Sequence, residues 1–294
     1  MNSRILTTLA IGFMVAPAMA DTEVNETLDA AAAGNVEVSN IAGSIEIRGW
    51  TENKVEVRGT LGDDVEELIF ERDGDDVLIK VKVPRNHGRD IDSELTIKVP
   101  QASSIEVSGV SADIDIDGVL GEQSLQTVSG DVAIQSASAD VEAASVSGDV
   151  DVAGTGKDAD IEAATVSGDV TLSGLAGSVE AESVSGDVSI GDGSFDNAEL
   201  ESVNGDLRFM AELRPDGELA MESVNGSVEV EFAGDVSARF DIETFNGSIK
   251  NCFGPKPERT SKYSPGLELS FTQGEGDGYV AIETLNGSVS ICNK

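Results

Sequence analysis

Through most of the chain apolar and polar residues alternate one for one, and short turn signals interrupt the alternation at near-regular intervals. The interruptions share a phrase. Thr127-Val128-Ser129-Gly130-Asp131-Val132 returns as SVSGDV at 145, TVSGDV at 165 and SVSGDV at 183. It continues as SVNGDL at 202, SVNGSV at 223, TFNGSI at 244 and TLNGSV at 284. The phrase glycines are Gly130, Gly148, Gly168, Gly186, Gly205, Gly226, Gly247 and Gly287, separated by steps of 18, 20, 18, 19, 21, 21 and 40 residues. Degenerate copies stand earlier, at Val110-Ser111-Ala112-Asp113-Ile114 and Ile41-Ala42-Gly43-Ser44-Ile45. Self-similarity at a period near 20 residues predicts a solenoid.

The aligned columns say which kind. Two residues after the glycine stand Val132, Val150, Val170, Val188, Leu207, Val228, Ile249 and Val289. Four after it stand Ile134, Val152, Leu172, Ile190, Phe209, Val230 and Ile291, with Asn251 the exception. A second alternating run starts seven residues before the glycine, at Val141, Ile161, Val179, Leu219, Phe240 and Val280. Period two on both sides of a turn predicts strands with one face buried. No stretch after the leader carries a helical period.

One copy buries about five apolar side chains, worth roughly 1.5–3 kcal/mol each. Ordering its residues costs roughly 1.5 kcal/mol apiece. A lone copy loses, so copies must share a core and backbone hydrogen bonds by stacking at about 4.8 Å per layer. The expected fold is all-β, a single-chain β-solenoid (β-helix) of about nine to ten coils with an N-terminal β cap layer. Each phrase glycine is expected to take a positive φ and turn the chain at one corner. The preceding Ser or Asn and following Asp or Ser are expected to bond nearby backbone, and stacked Asn to bond one another.

Cys252 and Cys292 each follow a phrase glycine by five residues. If those coils are neighbours and coils stack in chain order, the two thiols fall about one rung apart and a disulfide is expected; a free buried pair is the alternative.

Residues 1–20 read as a signal peptide, with Arg4, an apolar run over 5–17 and Ala18-Met19-Ala20 as the cleavage site. The organisation expected is therefore a leader (1–20), N-terminal strands and cap (21–104) and the repeat solenoid (105–294), interrupted by a loop insertion at about 253–279. Within the N-terminal part, VEVRG, EELIFER, VLIKVKVP and ELTIKVP read as strands, with Gly74-Asp75 a hairpin turn. The chain carries 19 Lys and Arg against 55 Asp and Glu, a net charge of −36. Such a charge argues against nucleic-acid and anionic-lipid partners.

Together, GSIEIRGW, LTIKVP, the recurring VSGDV/VNGSV phrase and the late FGPKPER…YSPG…TLNGSVSIC segment resemble a bacterial family of β-strand repeat proteins, labelled adhesins and defined by a domain of unknown function. The resemblance spans nearly the whole chain after the leader. It implies an exported β-solenoid, adhesin-like by label, with no reaction or catalytic residues to carry over.

Candidate chemistry is sparse. Asp113-Ile114-Asp115-Ile116-Asp117-Gly118 begins like a calcium loop, but Ser124 stands where the closing Glu belongs and the two Ile fit a core. Asp113, Asp131, Asp149, Asp169, Asp187 and Asp206 form an expected carboxylate column. Its members either accept backbone N–H bonds or hold a row of weakly bound divalent cations. A second acidic column is expected at Glu142, Glu162, Glu180, Glu199 and Asp241. His87 stands alone in a loop, Gly154-Thr155-Gly156-Lys157 lacks the rest of a phosphate loop, and the Asn-Gly-Ser triplets are turn corners. Lys256, Arg259 and Lys262 make the insertion a basic island and a candidate contact loop. No catalytic set, metal site or cofactor is expected.

The first functional reading is a non-catalytic exported envelope protein, at the periplasm or cell surface, used for structural or adhesive contacts with an envelope protein or glycan. The second is a divalent-cation- or glycan-binding module. The third, a polysaccharide-active β-helix enzyme, is disfavoured because Lys157, Arg208, Arg214 and Arg239 are the only cations between 112 and 247.

Overall fold

The computed structural model describes residues 22–84, 90–261 and 264–294, and all regular structure among them is β-strand. The leader, His87 and Lys262 lie outside the described residues. The N-terminal strands are β1 (Thr22–Asp29), β2 (Asn35–Trp50), β3 (Lys54–Leu61), β4 (Glu67–Asp73), β5 (Asp76–Lys82) and β6 (Ser93–Pro100). The repeats supply β7 (Ser104–Asp117), β8 (Gln123–Ser129), β9 (Val132–Ala137), β10 (Val141–Ser147), β11 (Val150–Gly154) and β12 (Asp158–Ser167). They continue through β13 (Val170–Ser185), β14 (Val188–Asn204), β15 (Leu207–Asn225), β16 (Val228–Phe232), β17 (Ala238–Asn246) and β18 (Ile249–Asn251). The chain ends with β19 (Glu258–Arg259), β20 (Leu267–Gln273), β21 (Gly278–Asn286) and β22 (Val289–Asn293).

Like pairs with like. Val141 lies beside Ile161, Ile161 beside Val179 and Val150 beside Val170, all in parallel register. The architecture is thus solenoid-like, and the alternation has its physical cause there: inward columns are buried and outward ones are wet. A continuous core runs from Val36 to Ile291. Two ladders flank it. One runs β1–β3–β6–β2–β7–β9–β11–β13–β14–β15–β16–β22–β18. The other runs β4–β5–β2–β7–β8–β10–β12–β13–β14–β15–β21–β17–β20–β19.

Layer order departs from chain order at both ends, which corrects the expectation that successive copies pile up in sequence. The last phrase of the chain does not form the last layer. β21 sits between β15 and β17, and β22 between β16 and β18, so the Gly287 layer lies between those of Gly226 and Gly247. At the other end β2 is held between β7 on one side and β5 and β6 on the other.

Antiparallel strands cover both ends. β4 pairs with β5 through the Gly74-Asp75 turn, where Gly74 has φ 65°, and β3 pairs with β6 and carries β1. β20 pairs with β17 and carries β19. The outermost strands of the two ladders are then β1 and β4 at one end and the short β18 and β19 at the other. Beneath the C-terminal cover, Phe195, Phe209, Phe232 and Phe240 follow one another along the core with centroids 6.0–6.1 Å apart. Phe271 stacks on Phe240 at 4.5 Å and Phe253 packs at 5.5 Å, both brought by the insertion and its flank. Asn251, the polar exception in its column, starts that turn: its amide donates to the Pro255 carbonyl and its Oδ1 accepts the Phe253 N–H.

Candidate functional site

The repeated phrase resolves into columns with separate duties. Its first residue, Ser or Thr, points inward and is nearly buried. Ser145 donates to the Gly130 carbonyl, Thr165 to Gly148, Ser183 to Gly168 and Ser202 to Gly186, each at 3.0 Å. Ser223, Thr284 and Thr244 do the same to Gly205, Gly226 and Gly287 at 2.9–3.4 Å.

The glycine expectation needs correction. None of the eight phrase glycines has a positive φ among the residues that do. Their role is close approach. A Cβ at Gly148 would lie 2.6 Å from the Gly130 carbonyl carbon, and one at Gly168 equally close to that of Gly148. The glycine of each layer therefore presses on the same carbonyl that its own Ser or Thr hydroxyl reaches. The missing side chain makes that reach short enough.

The aspartates are engaged between layers. Asp131 N–H donates to Asp113 Oδ1, and the pattern repeats through Asp149, Asp169, Asp187, Asp206 and Ser227 at 2.8–3.1 Å. Arg208 spans Asp187 and Asp206 at 3.2 and 3.5 Å. One oxygen of each carboxylate is thus committed to a backbone N–H, which offsets the repulsion of a stacked column. Among the described residues no group of three or more Asp, Glu, His or Cys is placed to hold a metal ion. The calcium-like stretch is a strand: Ile114 and Ile116 are buried, and Arg48 pairs with Asp115 and Asp117 at 3.1 and 3.3 Å.

The second acidic column is interrupted. Glu142, Glu162, Glu180 and Glu199 are in register, but Ala220 follows Glu199 and Ala281 separates it from Asp241. Cys252 and Cys292 form a disulfide with Cα atoms 4.9 Å apart, joining the last two layers. Lys256 and Arg259 are exposed on the insertion.

The expectations omitted the most conspicuous surface. The second residue of every phrase points outward and is apolar: Val128, Val146, Val166, Val184, Val203, Val224, Leu285 and Phe245, in spatial order, are 40–50 % exposed. Val110, at 44 %, continues the row by its spacing. Beside it, on the same outward face, run Glu182, Glu201, Glu222, Glu283 and Glu243, again in register. The two rows form a groove of about 440 Å³, ended by Thr260 and Gly266 of the insertion. Burial, then Glu201 and Glu180, push the Glu182 carboxyl above its usual range; burial, then Glu222 and Glu199, do so for Glu201. The signal was present in the sequence, since an apolar residue out of phase with the run that begins seven residues before the glycine recurs in every copy.

The family model described as Toastrack DUF4097 matches residues 18–191 and 174–292. The chain belongs to this family. No curated protein matches the chain. Among solved structures it is similar to a "putative adhesin" from Bacteroides fragilis, 13 % identical, covering 93 % of this chain and 98 % of that one with a TM-score of 0.45. A "putative adhesin" from Parabacteroides distasonis is 11 % identical, with 92 % and 98 % coverage and a TM-score of 0.44. A "putative lipid binding protein" from the same organism is 11 % identical, with 92 % and 97 % coverage and a TM-score of 0.40.

Proposed function

We propose that this Toastrack-family protein is a non-catalytic, exported cell-envelope protein whose acidic β-solenoid makes structural or adhesive contacts. One observation carries the reading. The inward hydroxyls, the stacked asparagines and the aspartate column are engaged in holding layer to layer, so these recurring polar residues serve the stack. What the repeats leave outward is a continuous lateral face of aliphatic and carboxylate rows. A rigid face repeated along an axis suits contact with an extended partner. The disulfide and the leader-like start support export. On this reading β2 to the last layer make nine to ten coils, β1, β3 and β4 cap the N-terminal end, and the 253–279 insertion seals the other.

The test is cross-linking in intact bacteria. Recovery of the oxidised protein with envelope components, together with no turnover of uronate polymers by the purified protein, is the expected result. Recovery of the protein reduced and inside the cytoplasm, or measurable turnover, overturns it.

A further inference from the structure

We infer that the groove between the aliphatic and glutamate rows is a docking site for a cationic, aliphatic-bearing peptide segment of another protein. The inference deepens the contact reading above, on which it rests. Scattered exposed aliphatics are ordinary, whereas an unbroken file of them is a recognition surface. Here the file is one residue wide and straight, because parallel register stacks Val184 on Val203 and Val203 on Val224.

Charge selects the occupant. A second copy of a chain at −36 would set glutamate rows and net charge against their like. Anionic lipid and nucleic acid are repelled for the same reason. A sugar ring finds only Phe245 as an aromatic face in the row. A segment with lysine or arginine flanking aliphatic side chains satisfies both rows together, its apolar edge on the valines and its cations on Glu182, Glu201 and Glu222. The spacing favours a helix. One turn rises about 5.4 Å against about 4.8 Å per layer, whereas same-face residues of a strand recur at roughly 6.8 Å. Across the five layers where both rows run, about 19 Å, roughly 13 helical residues suffice.

The test is a binding titration of the full oxidised chain with an amphipathic peptide of about 18 residues, a leucine stripe flanked by lysines. A control peptide replaces each leucine by serine. In one variant Val184, Val203 and Val224 become serine, and in another Glu182, Glu201 and Glu222 become glutamine. Because all six positions face outward, melting curves should show both variants folded. The expected result is that each variant, and the serine peptide, binds at least about tenfold more weakly than the parent pair.

Equal binding of the two peptides reduces the surface to bulk electrostatics and overturns the proposal. So does unchanged affinity in the valine variant. Sedimentation showing that the parent chain self-associates, and that the valine variant does not, assigns the row to a second copy instead. If envelope cross-links persist unchanged in the valine variant, the groove proposal falls while the broader contact reading stands.

Discussion

The side-chain amide of Asn286 donates to Asn225 Oδ1 at 3.0 Å, across 61 residues of sequence. Asn246 in turn donates to Asn286 at 2.9 Å. The layer next to Asn225 is therefore formed by the late strands β21 and β22, and the earlier β17 and β18 lie beyond it, with β20 paired to β17. The Gly287 layer is gripped on both faces, and the disulfide fixes it to its neighbour.

Breaking that disulfide should be costly. The bridge closes a loop with a sequence separation of 40. Chain entropy assigns such a loop about 4 kcal/mol. Cys292→Ser, Cys252→Ser and the double variant are each expected to lose about that much in denaturant unfolding, with no additivity between them.

The two uses of glycine predict different sensitivities. Gly148→Ala places a methyl group against the Gly130 carbonyl and forces the layers apart, at an expected cost of about 1–3 kcal/mol. Gly74→Ala, in open space with φ 65°, should lose only about 1 kcal/mol, from left-handed backbone. Chemical denaturation of both variants checks the order.

Ser183→Ala removes the hydroxyl from the Gly168 carbonyl and should cost about 1 kcal/mol. Ser183→Thr should be close to neutral, because Thr165, Thr244 and Thr284 already fill the same column with the same bond. A midpoint shift as large for threonine as for alanine would remove the hydroxyl ladder from the account.

Stability should rise on mild acidification. Burial, above all, raises the carboxyls of Asp151, Glu182 and Glu201, aided in each case by neighbouring carboxylates, although a Thr171 hydrogen bond opposes the shift at Asp151. A folded pKa above the unfolded one means that the native state holds the proton more tightly. The resulting stabilisation is complete below the ordinary carboxylate range and is lost as pH rises through the raised values. Glu56 opposes it: Lys98 first, by a hydrogen bond, and then Arg58 hold its pKa low, so its contribution disappears only in stronger acid. Thermal melts should therefore rise as pH falls from neutrality towards the ordinary carboxylate range and fall again below it. Glu201→Gln should flatten the rise.

Much of the molecule was legible before any coordinates. Period-two alternation about a recurring corner required strands stacked like on like, because no single copy can bury its apolar face alone. Cys252 and Cys292 share an offset from their glycines, and equal offsets in neighbouring layers bring thiols together. The pattern left two roles open for the aspartate column, backbone N–H acceptance or weak cation binding, and in the stack Asp169 and Asp187 each accept the backbone N–H of the next layer's Asp.

Tertiary structure decided the rest. Asn225, Asn246 and Asn286 occupy equivalent positions in equivalent phrases, so nothing local distinguishes which layer lies on which. The order is visible only in the pairings, where β20 lies on the β17 edge and β3 on the β6 edge at the two ends of the parallel stack. Local pattern likewise misassigned the glycines, since a turn corner and a close approach ask for the same residue and only the neighbouring layer's carbonyl tells them apart. Val184 and its companions, apolar yet outward, became a surface once register placed them in file. A one-dimensional chain records each layer's chemistry; which layers touch is a property of the stack, settled by shared hydrogen bonds and buried area across long sequence separations.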